Sequence, residues 1–133
     1  MLMIDRDLVD RAFSMLEFSY VPYSGFPVGA ALLCEDGTVF TGCNVENAAY
    51  GSTICAERTA LVKAVSEGRR AGFTALAVAG RSEDYCWPCG ACRQMLYEFA
   101  PGLRVLAARR DGDWREASLS ELLPRGFGPK SLK

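Results

Sequence analysis

The chain carries Cys55-Ala56-Glu57 and Pro88-Cys89-Gly90-Ala91-Cys92, with Cys89 34 positions after Cys55. Both segments stand at predicted helix starts, where three thiols and one carboxylate can build a metal site. Cys89 and Cys92 are three apart, and on a helix that spacing puts both sulfurs on one face, close enough to share an ion. Helix N-termini lower thiol pKa values and so favour the thiolate that zinc needs. Zinc with three protein ligands keeps its fourth place for water, which separates a reactive site from a structural one.

The remaining composition narrows the chemistry. The sequence has no histidine. A Ser-His-Asp triad, a Cys-His dyad and a His-rich metal centre are all removed, and any acid–base group working near neutral pH is a carboxylate, Cys, Lys or Tyr. Six cysteines in a chain whose first ten residues lack the layout of a secretion signal read as reduced thiols, with the clustered ones as metal ligands. At 133 residues the reading is one domain, 1–133, with one core. Half the residues are hydrophobic, yet no apolar run approaches the ~18–20 residues of a membrane span. The expectation is a cytoplasmic protein with no membrane partner. A net charge of −1 with scattered basic residues argues against a nucleic-acid partner, which calls for a basic face.

Apolar residues from Ile4 to Tyr20 recur at helical spacing and predict a helix over 5–20. Two β-compatible runs, 28–35 and 38–43, flank Asp36-Gly37 and predict a hairpin. A helix over 55–67 stops near Gly68. A short, nearly all-apolar run at 73–79 reads as a strand buried on both faces. Pro88 suits the first turn of a helix running to Phe99. Strands follow at 103–108 and 114–117, joined through Asp111-Gly112, and Ser118-x-x-Glu121 opens a short helix with a capping box. Strand–helix–strand crossovers make the central strands parallel, and the hairpin adds an antiparallel edge. The expected fold is α/β: a mixed five-stranded sheet between helical layers, its last two strands antiparallel because their connection is too short to hold a helix.

A zinc dication held by three thiolates carries a net negative charge and acidifies water less well than zinc held by neutral ligands. Arg58, three residues after Cys55 on the same helical face, is the candidate to offset this by donating hydrogen bonds to the thiolates. Glu57, beside Cys55, is poorly placed to ligate the same ion and well placed to take a proton from the activated water and pass it on. An alternative stays open. Cys86, Cys89 and Cys92 are evenly spaced and, with Cys55, could close a four-thiolate structural zinc module. Trp87 and Pro88 separate Cys86 from the helix, and a closed site leaves Glu57 without a purpose. Cys34 and Cys43 lie in hairpin strands and read as inert buried thiols.

Five segments together carry a resemblance that spans nearly the whole chain. They are Phe26-Pro27-Val28-Gly29-Ala30, Gly42-Cys43-Asn44-Val45-Glu46-Asn47-Ala48-Ala49-Tyr50-Gly51, Cys55-Ala56-Glu57-Arg58, Pro88-Cys89-Gly90-Ala91-Cys92-Arg93-Gln94, and Leu122-Leu123-Pro124-x-x-Phe127. In this order and spacing the chain resembles the small, homotetrameric, all-cysteine cytidine deaminases. The resemblance implies a three-layer α-β-α fold and one zinc per subunit on Cys55, Cys89 and Cys92. It implies hydrolysis of free cytidine and 2′-deoxycytidine to uridine and 2′-deoxyuridine with release of ammonia, with Glu57 shuttling protons to ring N3 and then to the leaving amine. Asn44 and Glu46 would read the sugar 3′-hydroxyl; two residues apart on an extended segment, they face the same side and offer a donor and an acceptor. Phe26 would pack on the pyrimidine, and the Ala56 N–H would meet the base. Phe127 and Tyr50 would act across subunit boundaries, with active sites near the interfaces.

The antiparallel end of the sheet resembles the free-nucleoside branch of the superfamily; the polynucleotide-editing branch inserts a helix there. A blasticidin-type nucleoside deaminase, which shares the three cysteines and the glutamate, is the nearer alternative, although it resembles this chain less in the Asn44-to-Tyr50 loop and the Leu122-to-Phe127 tail.

Overall fold

Alternation along the strands decides the layers. In the computed structural model, which describes residues 3–132, strands β1 (Val28–Cys34), β2 (Val39–Cys43), β3 (Phe73–Gly80), β4 (Arg104–Ala108) and β5 (Trp114–Ser118) form one sheet in the order β2-β1-β3-β4-β5. Side chains of successive strand residues point to opposite faces. One face presents Ala30, Leu32, Leu76, Val78 and Val105 to helices α2 (Ala56–Ser66), α3 (Gly90–Phe99) and α4 (Leu119–Leu122). The other presents mostly alanines, Ala31, Ala75, Ala77, Ala79 and Ala108, to helix α1 (Asp5–Ser14) through Leu8, Val9 and Ala12. Each fully buried Leu or Val stabilises the fold by about 1.5–3 kcal/mol relative to exposure.

The mixed sheet has the expected composition and one feature that the order of elements did not reveal. β3 and β4 are parallel, and β4 and β5 are antiparallel, as predicted. β1, however, pairs antiparallel with both β2 and β3. The crossover through α2 therefore joins β2 to β3 over the top of β1. The tip of the β1–β2 hairpin turns on Gly37 at φ 91°, a conformation glycine adopts without steric cost.

Two boundaries differ from the sequence expectation. The first helix ends at Ser14, and a separate 3-10 turn spans Leu16–Phe18. The Ser14 hydroxyl donates to the Arg11 carbonyl at 2.6 Å, and the Met15 N–H bonds Ala12 O, three residues back. This local competition tightens and closes the helix. At α3, Pro88 lies before the helix, and Cys89, at φ −68° and ψ 170°, is its N-cap. The Pro88 carbonyl accepts from Arg93 Nε at 2.7 Å, while the Arg93 N–H takes Cys89 O, so the helical ladder begins one residue later than the proline suggests.

Gly42 brings α2 against the sheet. A Cβ at this position would lie 2.3 Å from the Ala56 carbonyl oxygen and 2.6 Å from the Ala60 nitrogen. The helix start that carries Cys55 and Glu57 rests directly on β2 backbone.

Candidate active site

Cys55 and Cys89 occupy equivalent positions. Each is the N-cap of its helix, and neither uses its side chain to cap. Both sulfurs are thus free to face the space between the two helix starts, where Cys92, in the first turn of α3, is buried. Cys55 Sγ lies 3.8 Å from Cys89 Sγ, and Cys89 Sγ lies 3.5 Å from Cys92 Sγ. All three sulfurs lie within 4.8 Å of one another. Ligands at about 2.3 Å in a tetrahedral zinc site are separated by about 3.8 Å, so this triangle fits the ion.

The electrostatics suit a cation. Cys55 is drawn down to about 5, first by the Cys92 thiol hydrogen bond and then by Arg58 and Cys89, acting against its burial. Cys92 moves the opposite way, because Cys55 carries the charge and Cys92 lends it a proton. The Arg58 guanidinium donates to Cys55 Sγ at 3.6 Å and to the Thr53 carbonyl at 3.1 Å. The contact between Arg58 and a sulfur of the triangle, expected from their spacing, is present. Arg58 Nε is buried without a hydrogen-bond partner.

Glu57, in the first turn of α2, is only 4% exposed. Burial pushes its carboxyl up to about 7, with the Cys55 charge adding to the rise. Such a group exchanges protons readily near neutral pH. Cys86 stands outside the triangle of sulfurs. Its sulfur is 3.3 Å from where a Gly80 Cβ would sit, and burial raises its thiol to about 12. The closed four-thiolate arrangement is therefore not formed among the described residues.

A cavity of about 220 Å³ opens onto the centre, walled by Phe26, Asn44, Ala56, Glu57, Cys86 and Trp87. Thr53 lines this cavity and also a neighbouring hollow of about 290 Å³ that holds Tyr23, Ser24, Glu46 and Tyr50. Of the residues singled out in the sequence, Cys55, Cys89, Glu57, Ala56, Phe26 and Asn44 thus line one space, with Cys92 completing the sulfur triangle beside it and Glu46 and Tyr50 next door. Asn44 is nearly buried and braces the loop below Phe26: its Oδ1 accepts from the Val28 N–H at 2.9 Å and its Nδ2 donates to the Phe26 carbonyl at 2.9 Å. The Glu46 carboxylate accepts from the Tyr23 and Ser24 N–H groups, both at 3.0 Å, and from the Ser24 hydroxyl. These bonds, the Ser24 hydroxyl first, hold its pKa below the usual carboxylate range. Tyr50 is 73% exposed and meets Tyr23 edge-on at 5.5 Å.

Phe127 lines neither space. Gln94 Nε2 donates to its carbonyl at 2.7 Å, and the residue is 58% exposed. Thr53, Ser24 and Trp87 were not among the residues singled out as candidates. Ser24 had a signal, since a serine between Pro22 and Pro27 offers a hydroxyl and a free backbone N–H close to an acidic loop. Trp87 had none beyond its place between two cysteines.

Residues 3–108 match the family model described as the cytidine and deoxycytidylate deaminase zinc-binding region. The chain is 54% identical over 126 residues to a cytidine deaminase of Sporosarcina psychrophila, a match covering 94% of this chain and 92% of the relative. It is 51% identical over 131 residues to a cytidine deaminase of Halalkalibacterium halodurans, covering 97% and 98%. The crystal structure of cytidine deaminase from Burkholderia pseudomallei superposes with a TM-score of 0.91 at 48% identity, covering 94% of this chain and 100% of that one.

Proposed function

The chain belongs to the cytidine and deoxycytidylate deaminase zinc-binding family, and from that premise we propose that it hydrolyses free cytidine and 2′-deoxycytidine to uridine and 2′-deoxyuridine, releasing ammonia. The observation that carries this reading is a three-sulfur triangle bordering the same cavity as a buried carboxyl. Cys55, Cys89 and Cys92 would hold zinc, which would supply the Lewis acid that acidifies water for attack on C4 of the pyrimidine. The C4–O bond forms and the C4–N bond breaks. Glu57 takes one proton from the water and delivers it to N3, then takes the second from the hydroxyl now on C4 and passes it to the departing amine, so that the C4 carbonyl forms as ammonia leaves. Its raised pKa matches both duties, since the same group serves as base and then as acid. Arg58 offsets the negative charge of the sulfurs from its contact with Cys55.

The walls supply binding. Phe26 packs on the base, and the Ala56 N–H, in the first turn of α2 where N–H groups have no intrahelical acceptor, meets its edge. Asn44 and Glu46 read the sugar hydroxyls through the capacity that their loop contacts leave free. Phe127 and Tyr50, both exposed, serve neighbouring subunits of a homotetramer. The substrate is a free nucleoside and not a nucleic acid, consistent with the antiparallel β4–β5 pair. Residues 1–133 act as one domain in the cytoplasm; among the described residues no helix is long and apolar enough to cross a membrane.

The test is one sample measured twice: metal content, and ultraviolet absorbance during incubation with cytidine. Uridine formation with zinc bound supports the reading. Zinc bound without uridine formation rejects it, and turnover of blasticidin S in preference to cytidine moves the chain to the sister activity.

A further inference from the structure

The segment between β3 and α3 delivers Cys86 and Trp87 to the cavity wall and then Cys89 to the sulfur triangle. Its two ends are fastened separately. On the downstream side, Arg93 holds the Pro88 carbonyl from within α3 and ties it to the Leu122 carbonyl at 2.9 Å. On the upstream side, a cluster that the deamination chemistry does not use surrounds Tyr85. The Tyr85 hydroxyl donates to Asp113 Oδ2 at 2.7 Å and accepts from Arg115 Nε at 3.0 Å. The Arg109 and Arg115 guanidinium carbons lie 4.9 and 5.2 Å from its ring centroid. Arg109 is in turn ion-paired to Asp111 at 3.0 Å and to Asp113 at 3.4 Å. The backbone continues the link, with Cys86 N–H on Ala108 O and Arg110 N–H on Ser82 O.

We propose that Tyr85 is a positioning residue for substrate binding: clamped on the β4–β5 hairpin, it sets the Cys86–Trp87 wall of the cavity without bearing on the metal ligands. A ring contacted by two guanidinium groups with its hydroxyl doubly bonded has little rotational freedom, and the next two residues inherit that constraint. The ligand Cys89 is insulated from it by the Arg93 fastening. Loss of the clamp therefore lets the wall shift while zinc and Glu57 stay in register. Misplacement of groups that contact substrate weakens binding before it touches the chemical step.

This inference rests on the deaminase reading, so the wild-type protein is assayed first. If it forms no uridine from cytidine, the reading itself has failed. If it does, Tyr85→Ala is compared with it for zinc content, KM and kcat for cytidine. The expected result is retained zinc, KM raised about fivefold or more, and kcat within about twofold. Tyr85→Phe, which keeps the ring and loses both hydroxyl bonds, gives an intermediate rise, and Asp113→Asn in the Tyr85→Phe background adds little more because the two share one bond. An unchanged KM in Tyr85→Ala overturns the proposal. So does a fall in zinc content and kcat together at constant KM, which marks a merely structural part. Should Tyr85→Ala fail to fold, Tyr85→Phe and Asp113→Asn carry the same comparison.

Discussion

At the sulfur end of the pocket, Cys55 and Cys89 are N-caps of two helices, and Cys92 and Glu57 lie in the first turns behind them. At the other end, Asn44 and Glu46 sit on irregular backbone whose order comes from side chains bonding to main chain across 16 to 23 positions. At the first end Cys92 and Glu57 are buried, Cys55 is half-buried and Cys89 reaches the surface. At the second end Asn44 is buried, while Glu46 and Tyr50 line an open hollow beside it. Reactive groups are thus fixed by regular secondary structure, where a ladder of hydrogen bonds leaves little play. The groups proposed for recognition, Asn44 and Glu46, are fixed by braces that a single substitution removes.

Four substitutions test that contrast, and the largest effect belongs to the sulfur end. Cys89→Ala removes one corner of the triangle; zinc content falls to background by elemental analysis and turnover disappears with it. A Cys89→Ala protein that keeps zinc and activity would move the metal elsewhere. Glu57→Gln keeps zinc and fold while kcat drops by about 10²–10⁴, and a wild-type rate would remove Glu57 from the chemistry. At the open end the loss appears in KM. Glu46→Gln weakens the charged acceptor that orders Ser24 and is proposed to read the sugar, and KM rises about tenfold with kcat less affected. If kcat falls instead, the two ends are not separable. The smallest effect is Arg58→Gln. Arg58 helps depress the Cys55 pKa, so its removal lets protons compete for that sulfur at higher pH. On acidification, zinc is released at a midpoint about one pH unit higher than in the wild type. A midpoint that stays in place assigns Arg58 to packing alone.

The sulfur end was legible in the sequence because its rules are local. Cysteine at a helix start, a second pair one turn apart, and a carboxylate two residues from the first need no knowledge of distant pairing. The strands were legible for the same reason, through runs of apolar residues. What escaped was long-range. Nothing local to β1 says that it lies between β2 and β3. The Phe26 loop is held by Asn44, and the wall at Trp87 comes from a segment some sixty positions from Phe26. Local competition explains the two misplaced boundaries: the Ser14 hydroxyl and the Arg93 side chain each take a carbonyl that helical spacing alone would have assigned to the ladder.

The contact at Gly42 has a consequence for how such a chain can change. Cys55 and Glu57 ride on one helix, whereas Cys89 and Cys92 ride on another, so the depth at which the first helix lies on β2 sets the gap between the two halves of the centre. A methyl group at position 42 would act as a spacer, lifting one half away from the other while leaving every catalytic side chain in the sequence. The alignment of the reactive atoms is governed from beneath by a hydrogen where any other residue would carry carbon.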